Sequence, residues 1–374
     1  MKLYYISHWR FPSEKTMSPL IMRTCEEFVD QGTPTVLVIP DRKTSSFNEN
    51  PYKYHNVKEN FVIKRIWVLD LIESIGGNLS FLLMVASFNV SLFFFALKRN
   101  DGVYYVHDAR DAFLLSFLNR KYVLEIHDFY ESRLGFLTNR VFRRAYKFVV
   151  TNQYKIEQIT KKFNLSKDKF LHKPNAVNIK MFDIPKSREQ ARKELGLSQE
   201  EKIVLYAGHL FDWKGVGTLL EAYKFLPEYS IYFVGGTDSD IKSMKEKSNK
   251  MNAENVYFLG RKQHNQIPLY YKSADVLVLP NTAKMDVSKY ETSPVKLFEY
   301  MASKTPIVAS NIPSIKNIVD ESMVWFFEPD NPEDLAKVIK TVNPEDQKTQ
   351  KSFIEVQSHT WGKRVGDIKK FIGV

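Results

Sequence analysis

Two glutamates eight residues apart, Glu291 and Glu299, flank a Ser293-Pro294 pair in the segment Tyr290-Glu291-Thr292-Ser293-Pro294-Val295-Lys296-Leu297-Phe298-Glu299. Serine before proline reads as a helix start, with Ser293 as N-cap and Pro294 at the first helical position. The first-turn amides, those of Val295 and Lys296 among them, and the positive end of the helix dipole would then face the preceding loop. That arrangement suits a phosphate or diphosphate. Side chains lean toward a helix N-terminus, so Glu299 is expected to reach back over Val295 and Lys296. Two carboxylates beside an anion would repel it. They make sense as acceptors for hydroxyls flanking it, as in a sugar–diphosphate–ribose ligand. Taken singly, each would read as a solvated surface glutamate; the spacing together with the helix start favours the ligand.

Other candidates are less specific. His127 follows Leu124-Glu125-Ile126, and His107-Asp108 follows Val103–Val106, so both histidines end strand-like runs. A lone histidine at such a place is more often a structural hydrogen-bonding residue. Asp238-Ser239-Asp240 has a form that can hold manganese, but it follows Gly235-Gly236 at a helix start, where acids complement the dipole. The expectation is therefore no metal and no cofactor. Gly235-Gly236 is not a dinucleotide fingerprint, because no G-x-G-x-x-G follows the first strand of either half. The single cysteine, Cys25, cannot form an intrachain disulfide and reads as a small core residue.

The elements that position these residues alternate along 374 residues, a length suited to two domains. Strand-like runs at Lys2–Ile6, Val36–Ile39, Val62–Val68, Val103–Val106, Tyr122–Ile126 and Phe148–Val150 are separated mostly by helical stretches such as Pro19–Asp30 and Tyr154–Phe163. A second series follows at Ile203–Ala207, Ile231–Val234, Val256–Leu259, Val276–Leu279 and Ile307–Ala309. Apolar strands alternating with crossover helices predict two Rossmann-like, doubly wound parallel-sheet domains facing across a cleft. The expected domains are 1–174, joined by a C-terminal helix at 358–374, and 175–357.

The net charge is +11, and residues 1–174 hold 26 basic against 17 acidic side chains. Such an excess predicts an anionic partner. Leu79–Leu97 runs 19 residues without a charge, close to a bilayer span. Ser80, Ser87 and Ser91 fall on one helical stripe, which a lipid-surrounded helix would not need. A half-buried crossover helix is the first expectation and a membrane-surface helix the second, since Lys98 and Arg99 follow directly. The N-terminus reads as a strand entering a polar loop rather than a signal peptide, so the expected location is cytoplasmic.

Glu291-x(7)-Glu299, with Met301-Ala302 and Thr305-Pro306-Ile307-Val308-Ala309-Ser310 behind it, resembles the donor-site signature of GT-B retaining glycosyltransferases of the family-4 type. The resemblance implies that Glu291 contacts the transferred sugar, Glu299 the ribose, and the helix-start amides the diphosphate. It extends over nearly the whole chain. Tyr206-Ala207-Gly208-His209-Leu210-Phe211-Asp212-Trp213-Lys214-Gly215 is similar to the family's strand–loop–helix, which makes Lys214 a phosphate ligand. A lysine there also stabilises the charge growing on the leaving diphosphate. His209 stands where the family usually has arginine, with Arg261 and Lys262 as possible substitutes. Ser7 to Lys15 resembles the loop after the first strand that closes over the reaction centre, without the frequent Gly-Gly, and carries Arg10 and Lys15; His107, ending the neighbouring strand, is a candidate for the acceptor side. His127 matches the histidine that approaches the transferred sugar, and Lys173 to Asn178 resembles the interdomain linker.

The expected activity is metal-independent transfer of a sugar, with retention, from a nucleotide diphosphate-sugar to a glycan or lipid-linked acceptor, with an anionic membrane surface as a further partner. A nucleotide-sugar epimerase on the same fold is the enzymatic rival. A non-enzymatic basic protein binding membrane or nucleic acid is the other; the basic residues are too dispersed for nucleic acid, with only Arg140, Arg143, Arg144 and Lys147 bunched.

Overall fold

The computed structural model describes residues 1–13, 17–42, 49–127 and 136–374. The chain divides into two units, Met1–Pro174 with Trp361–Val374, and Asn175–Thr360.

In the first unit, among the described residues, seven strands form one parallel sheet: β1 Lys2–Ile6, β2 Thr35–Pro40, β3 Val62–Ile66, β4 Gly102–Val106, β5 Tyr122–Ile126, β6 Lys147–Val150 and β7 Phe170–His172. Their order is β3-β2-β1-β4-β5-β6-β7, so the winding reverses between β1 and β4. Successive side chains point to opposite faces of a strand, and here both faces are buried. Leu3 and Tyr5 join Phe28 and Leu37 on one side, while Tyr4 and Ile6 join Phe88 and Leu124 on the other. The helix Trp361–Ile372 completes the first of these layers with Val365, Ile368 and Ile372.

The uncharged stretch forms the helix Gly77–Leu97, which covers the second layer through Met84, Phe88, Leu92 and Phe95. Its serines fasten a neighbouring segment: Ser91 Oγ donates to Trp67 O at 2.7 Å, and Ser87 Oγ accepts Leu69 N–H at 2.8 Å.

The second unit repeats the plan with six strands: β8 Lys202–Ala207, β9 Tyr229–Val234, β10 Val256–Gly260, β11 Val276–Leu279, β12 Ile307–Ser310 and β13 Trp325–Phe327, in the order β10-β9-β8-β11-β12-β13. The reversal lies between β8 and β11. Ligands of open α/β sheets bind outside the strand carboxyl ends at such a reversal. The patterning missed β7 and β13, each three residues long at a sheet edge.

Candidate functional site

In the second unit the chain leaves β8 at Gly208, whose φ is +136°. A Cβ there would lie 1.8 Å from Lys296 Nζ and would push that side chain aside. The loop continues through His209 and Phe211, whose rings stack with centroids 4.9 Å apart, into a 3-10 turn at Asp212–Lys214. Gly215 closes the turn at φ +69°, where a Cβ would collide with Pro280 O at 1.8 Å. This fixes Lys214, whose ammonium sits over the Trp213 ring at 3.7 Å.

Lys296 comes from the helix Val295–Ser303. Its ammonium donates to Tyr206 Oη at 3.2 Å, and the Tyr206 hydroxyl donates in turn to His209 O at 2.7 Å. Among the described residues neither Lys214 nor Lys296 forms an ion pair. Burial, then the nearby charge of Lys296, holds the Lys214 pKa well below the usual lysine range. Burial brings Lys296 down to about 8, with Glu299 opposing. Burial and then the two lysines lower His209 as well. Cations depressed together in this way form a site short of negative charge.

Glu299 lies one turn after Lys296 and accepts the Tyr271 hydroxyl at 2.8 Å on Oε2. Burial raises its pKa, against His264, Tyr271 and Lys296. Glu291, half-buried, ends a π-helical turn at Val287–Glu291.

One expectation needs correction. Ser293 does not cap the helix: Pro294 takes the N-cap position and helical residues begin at Val295, with no side-chain cap. The cause is a tertiary competitor. Ser293 Oγ accepts Asn175 N–H at 3.2 Å, and Asn175 Nδ2 donates to Ser293 O at 2.9 Å. The N-cap position thus supplies no side-chain bond to the helix-start amides, an arrangement that suits an anion. Arg261 is exposed, and its charge also helps lower the His209 pKa; Lys262 lies 5.9 Å from the Tyr270 ring centroid, and Lys296 is the cation whose charge acts on Lys214. Asp240 belongs to a capping box with Thr237 at the start of the helix Asp238–Lys250.

In the first unit, Glu125, His127 and His107 meet at the carboxyl ends of β4 and β5. Glu125 is buried; its Oε1 accepts from His127 Nε2 at 3.0 Å and from Arg364, and its Oε2 accepts the Tyr5 hydroxyl at 3.0 Å. Burial works against the carboxylate, but Arg364 and His127 overcome it and hold the pKa well below the usual range. Burial and the neighbouring His127 push His107 down to about 3, so it is neutral. The rings of His107 and His127 are 4.7 Å apart. Lys155 Nζ donates to His127 O.

These three side chains place potential ligand atoms within 4.8 Å of one another. The fit to a metal is poor, because Glu125 already neutralises the buried Arg364 guanidinium and a divalent ion would add an uncompensated charge. Arg10 lies on the loop after β1, and Lys15 lies outside the described residues.

Sequence reading missed a further pair. His8, after β1, is fully buried with its Nδ1 at 2.8 and 2.9 Å from the Asp111 carboxylate oxygens. Burial opposes a charge on His8, and Asp111 outweighs burial to raise its pKa. No spacing signal joins residues 103 apart.

Residues 187–358 match the family model of the glycosyl transferases group 1. That segment is a group 1 glycosyl transferase domain. Lys214, Glu291, Lys296 and Glu299 all lie within it. Among curated relatives, an uncharacterised glycosyltransferase of Methanocaldococcus jannaschii is 29% identical over 188 residues, 48% of this chain and 46% of that one. An uncharacterised glycosyltransferase of Haemophilus influenzae is 31% identical over 61% of this chain and 62% of its own. A putative teichuronic acid biosynthesis glycosyltransferase of Bacillus subtilis, TuaH, is 24% identical over 63% and 58%. The chain thus spans between 46% and 62% of these relatives' lengths.

Solved structures match throughout. Anabaena HepE in complex with UDP and glucose aligns with 100% of this chain and 99% of its own at TM-score 0.75 and 15% identity. Sucrose-phosphate synthase from Thermosynechococcus elongatus aligns over 100% and 98% at TM-score 0.78 and 17% identity. The group 1 domain and the unit preceding it together have the GT-B fold.

Proposed function

We propose that the protein is a glycosyltransferase that moves a sugar from a nucleotide diphosphate-sugar to an acceptor hydroxyl. The observation that carries this is Lys214 and Lys296, two lysines with depressed pKa and, among the described residues, no ion pair, beside the helix start at Val295 that has no side-chain N-cap. A diphosphate supplies the missing negative charge. As the bond from the anomeric carbon to the phosphate oxygen breaks, charge grows on the diphosphate and both ammonium groups stabilise it. The new bond forms to the acceptor oxygen, whose proton passes to the departing phosphate oxygen. This same-face course with retention, independence of metal, and the roles of Glu291 and His127 at the sugar are taken from the family resemblance. Glu299 Oε1 is the acceptor for ribose hydroxyls.

UDP is the first nucleotide to try, because HepE has been solved with it. A lipid-linked or membrane-proximal acceptor at the cytoplasmic face agrees with the basic first unit. Thermal unfolding with UDP, GDP, ADP and dTDP tests the reading. A nucleotide at 100 times its Kd stabilises by about 2.7 kcal/mol. A shift with one diphosphate that disappears in Lys214→Met supports the site; an equal shift in that variant overturns it.

A further inference from the structure

The helix Gly77–Leu97 has two apolar faces and only one sheet to cover. Its inner face is buried in the first unit. Its outer face carries Leu79, Leu82, Leu83, Ala86, Val90, Phe94 and Leu97, all exposed, with Leu79 at 69%, Leu82 at 57% and Phe94 at 60%. The steps of three and four keep these residues on one stripe about 27 Å long. An outer stripe in water would carry Lys and Glu; this one has no polar residue. The serines on the flank hold the segment 67–69 against the helix, which sets Trp67, 65% exposed, and Leu69 beside the stripe.

The surrounding charges indicate what covers it. The carboxyl end of the helix is ringed by cations: Lys98 follows it, Arg99 donates to Phe95 O at 3.1 Å, and Arg120 donates to Ala96 O and Leu97 O at 3.1 and 3.2 Å. The turn Leu114–Phe117 packs against the same helix and exposes Phe117, with Arg140 stacked 4.0 Å over its ring. Of the acids near the other end, Asp70 is paired with Arg42 at 2.9 Å, and Glu73 is exposed ahead of the helix. An apolar stripe bordered by cations matches the acyl boundary and headgroups of an anionic bilayer.

We infer that this face lies flat in the headgroup region of an anionic membrane, with Leu82, Val90 and Phe94 among the acyl chains and Lys98, Arg99 and Arg120 on the phosphates. The helix does not span. Its inner face belongs to the sheet core, and Asn89 ties it to the first unit by accepting Leu114 N–H at 3.4 Å. The inference deepens the membrane-proximal part of the proposed function, yet it is measured without donor or acceptor. Its failure leaves the transfer reading standing, and the reverse holds too.

The test is sedimentation of the full chain with vesicles of 3:1 phosphatidylcholine–phosphatidylglycerol and of phosphatidylcholine alone, at low and high salt. Binding to the anionic vesicles, weakened by salt, is expected. Leu82→Asp/Phe94→Asp should bind at least tenfold more weakly with an unchanged Tm, and Lys98→Glu several-fold more weakly. Should the aspartate pair lower Tm, Leu82→Ser/Phe94→Ser replaces it. The inference falls if the wild-type chain ignores anionic vesicles, or if the folded variants bind as well as it does. It also falls if the stripe variants dissociate a dimer that never bound lipid, which would make a second copy the occupant.

Discussion

At the carboxyl end of its sheet the first unit buries Arg364 against Glu125, and Tyr5 and His127 satisfy the same carboxylate. The second unit gathers Lys214 and Lys296 at the corresponding place and gives neither a carboxylate partner. One fold therefore handles buried cations in two ways. A cation paired inside the protein holds the fold together, whereas cations left short of negative charge are available to a ligand.

The contrast breaks most visibly at Arg364. Removing it strands the buried Glu125 carboxylate, so Arg364→Ala should cost about 3–5 kcal/mol in urea unfolding. A loss under 1 kcal/mol would mean that the pair is not structural. Lys214→Met and Lys296→Met should behave in the opposite way. Each relieves repulsion, so Tm stays level or rises, while transfer falls roughly 10²–10³-fold as for other donors to a developing anion. Wild-type turnover in both variants would remove the diphosphate from this site.

Proton linkage sharpens the comparison with a smaller effect. In the folded chain Lys296 titrates at about 8 against an ordinary 10.5. Between those values the unfolded chain holds a proton that the folded chain has lost, so this group makes stability rise with pH across that window. A bound diphosphate restores the charge, and calorimetry of UDP binding near pH 9 in two buffers should register proton uptake that Lys296→Met reduces, with Lys214 accounting for the rest. Equal enthalpies in the two buffers would argue against it. The first unit responds on the acid side. His107 stays neutral in the folded chain down to about pH 3 but takes a proton near 6.5 when unfolded. Its contribution fades as pH falls through that range, and the Glu125 contribution fades at lower pH. Hydrogen exchange at pH 5 and pH 9 should find the β5 amides loosened at the first pH only.

Both sheets were legible in the sequence because apolar strand runs and crossover helices differ in length and period. The edges β7 and β13 were not, since three residues establish no pattern. In the site, Glu291, Glu299 and Lys214 could be found because each belongs to a local motif. The position of the Lys296 ammonium was hidden, because it depends on a side chain turned onto Tyr206 beside a glycine 88 residues away. Glu125 with Arg364 and His8 with Asp111 are 239 and 103 residues apart, and only the fold joins them. The serine stripe of the helix Gly77–Leu97 was seen, but its partners, Trp67 and Leu69, lie outside any helical period.

Ser293 is where a sound local rule lost to a tertiary contact, and it carries the smallest predicted effect. If its hydroxyl serves Asn175 rather than the helix, Ser293→Ala should cost about 0.5–1.5 kcal/mol, the range of one hydrogen bond. A lost cap would cost about as much, so the single variant does not decide. Hydrogen exchange does. The Ser293 hydroxyl accepts the backbone N–H of Asn175, so Ser293→Ala should speed exchange of the Asn175 amide and leave the Val295 and Lys296 amides as they are. Asn175→Ala keeps that N–H and removes only the side-chain amide that donates to Ser293 O, so its cost should add to that of Ser293→Ala. Faster exchange at Val295 and Lys296 in Ser293→Ala would return the hydroxyl to the helix start. No change there is the outcome under which those amides can join Lys214 and Lys296 in holding an anion.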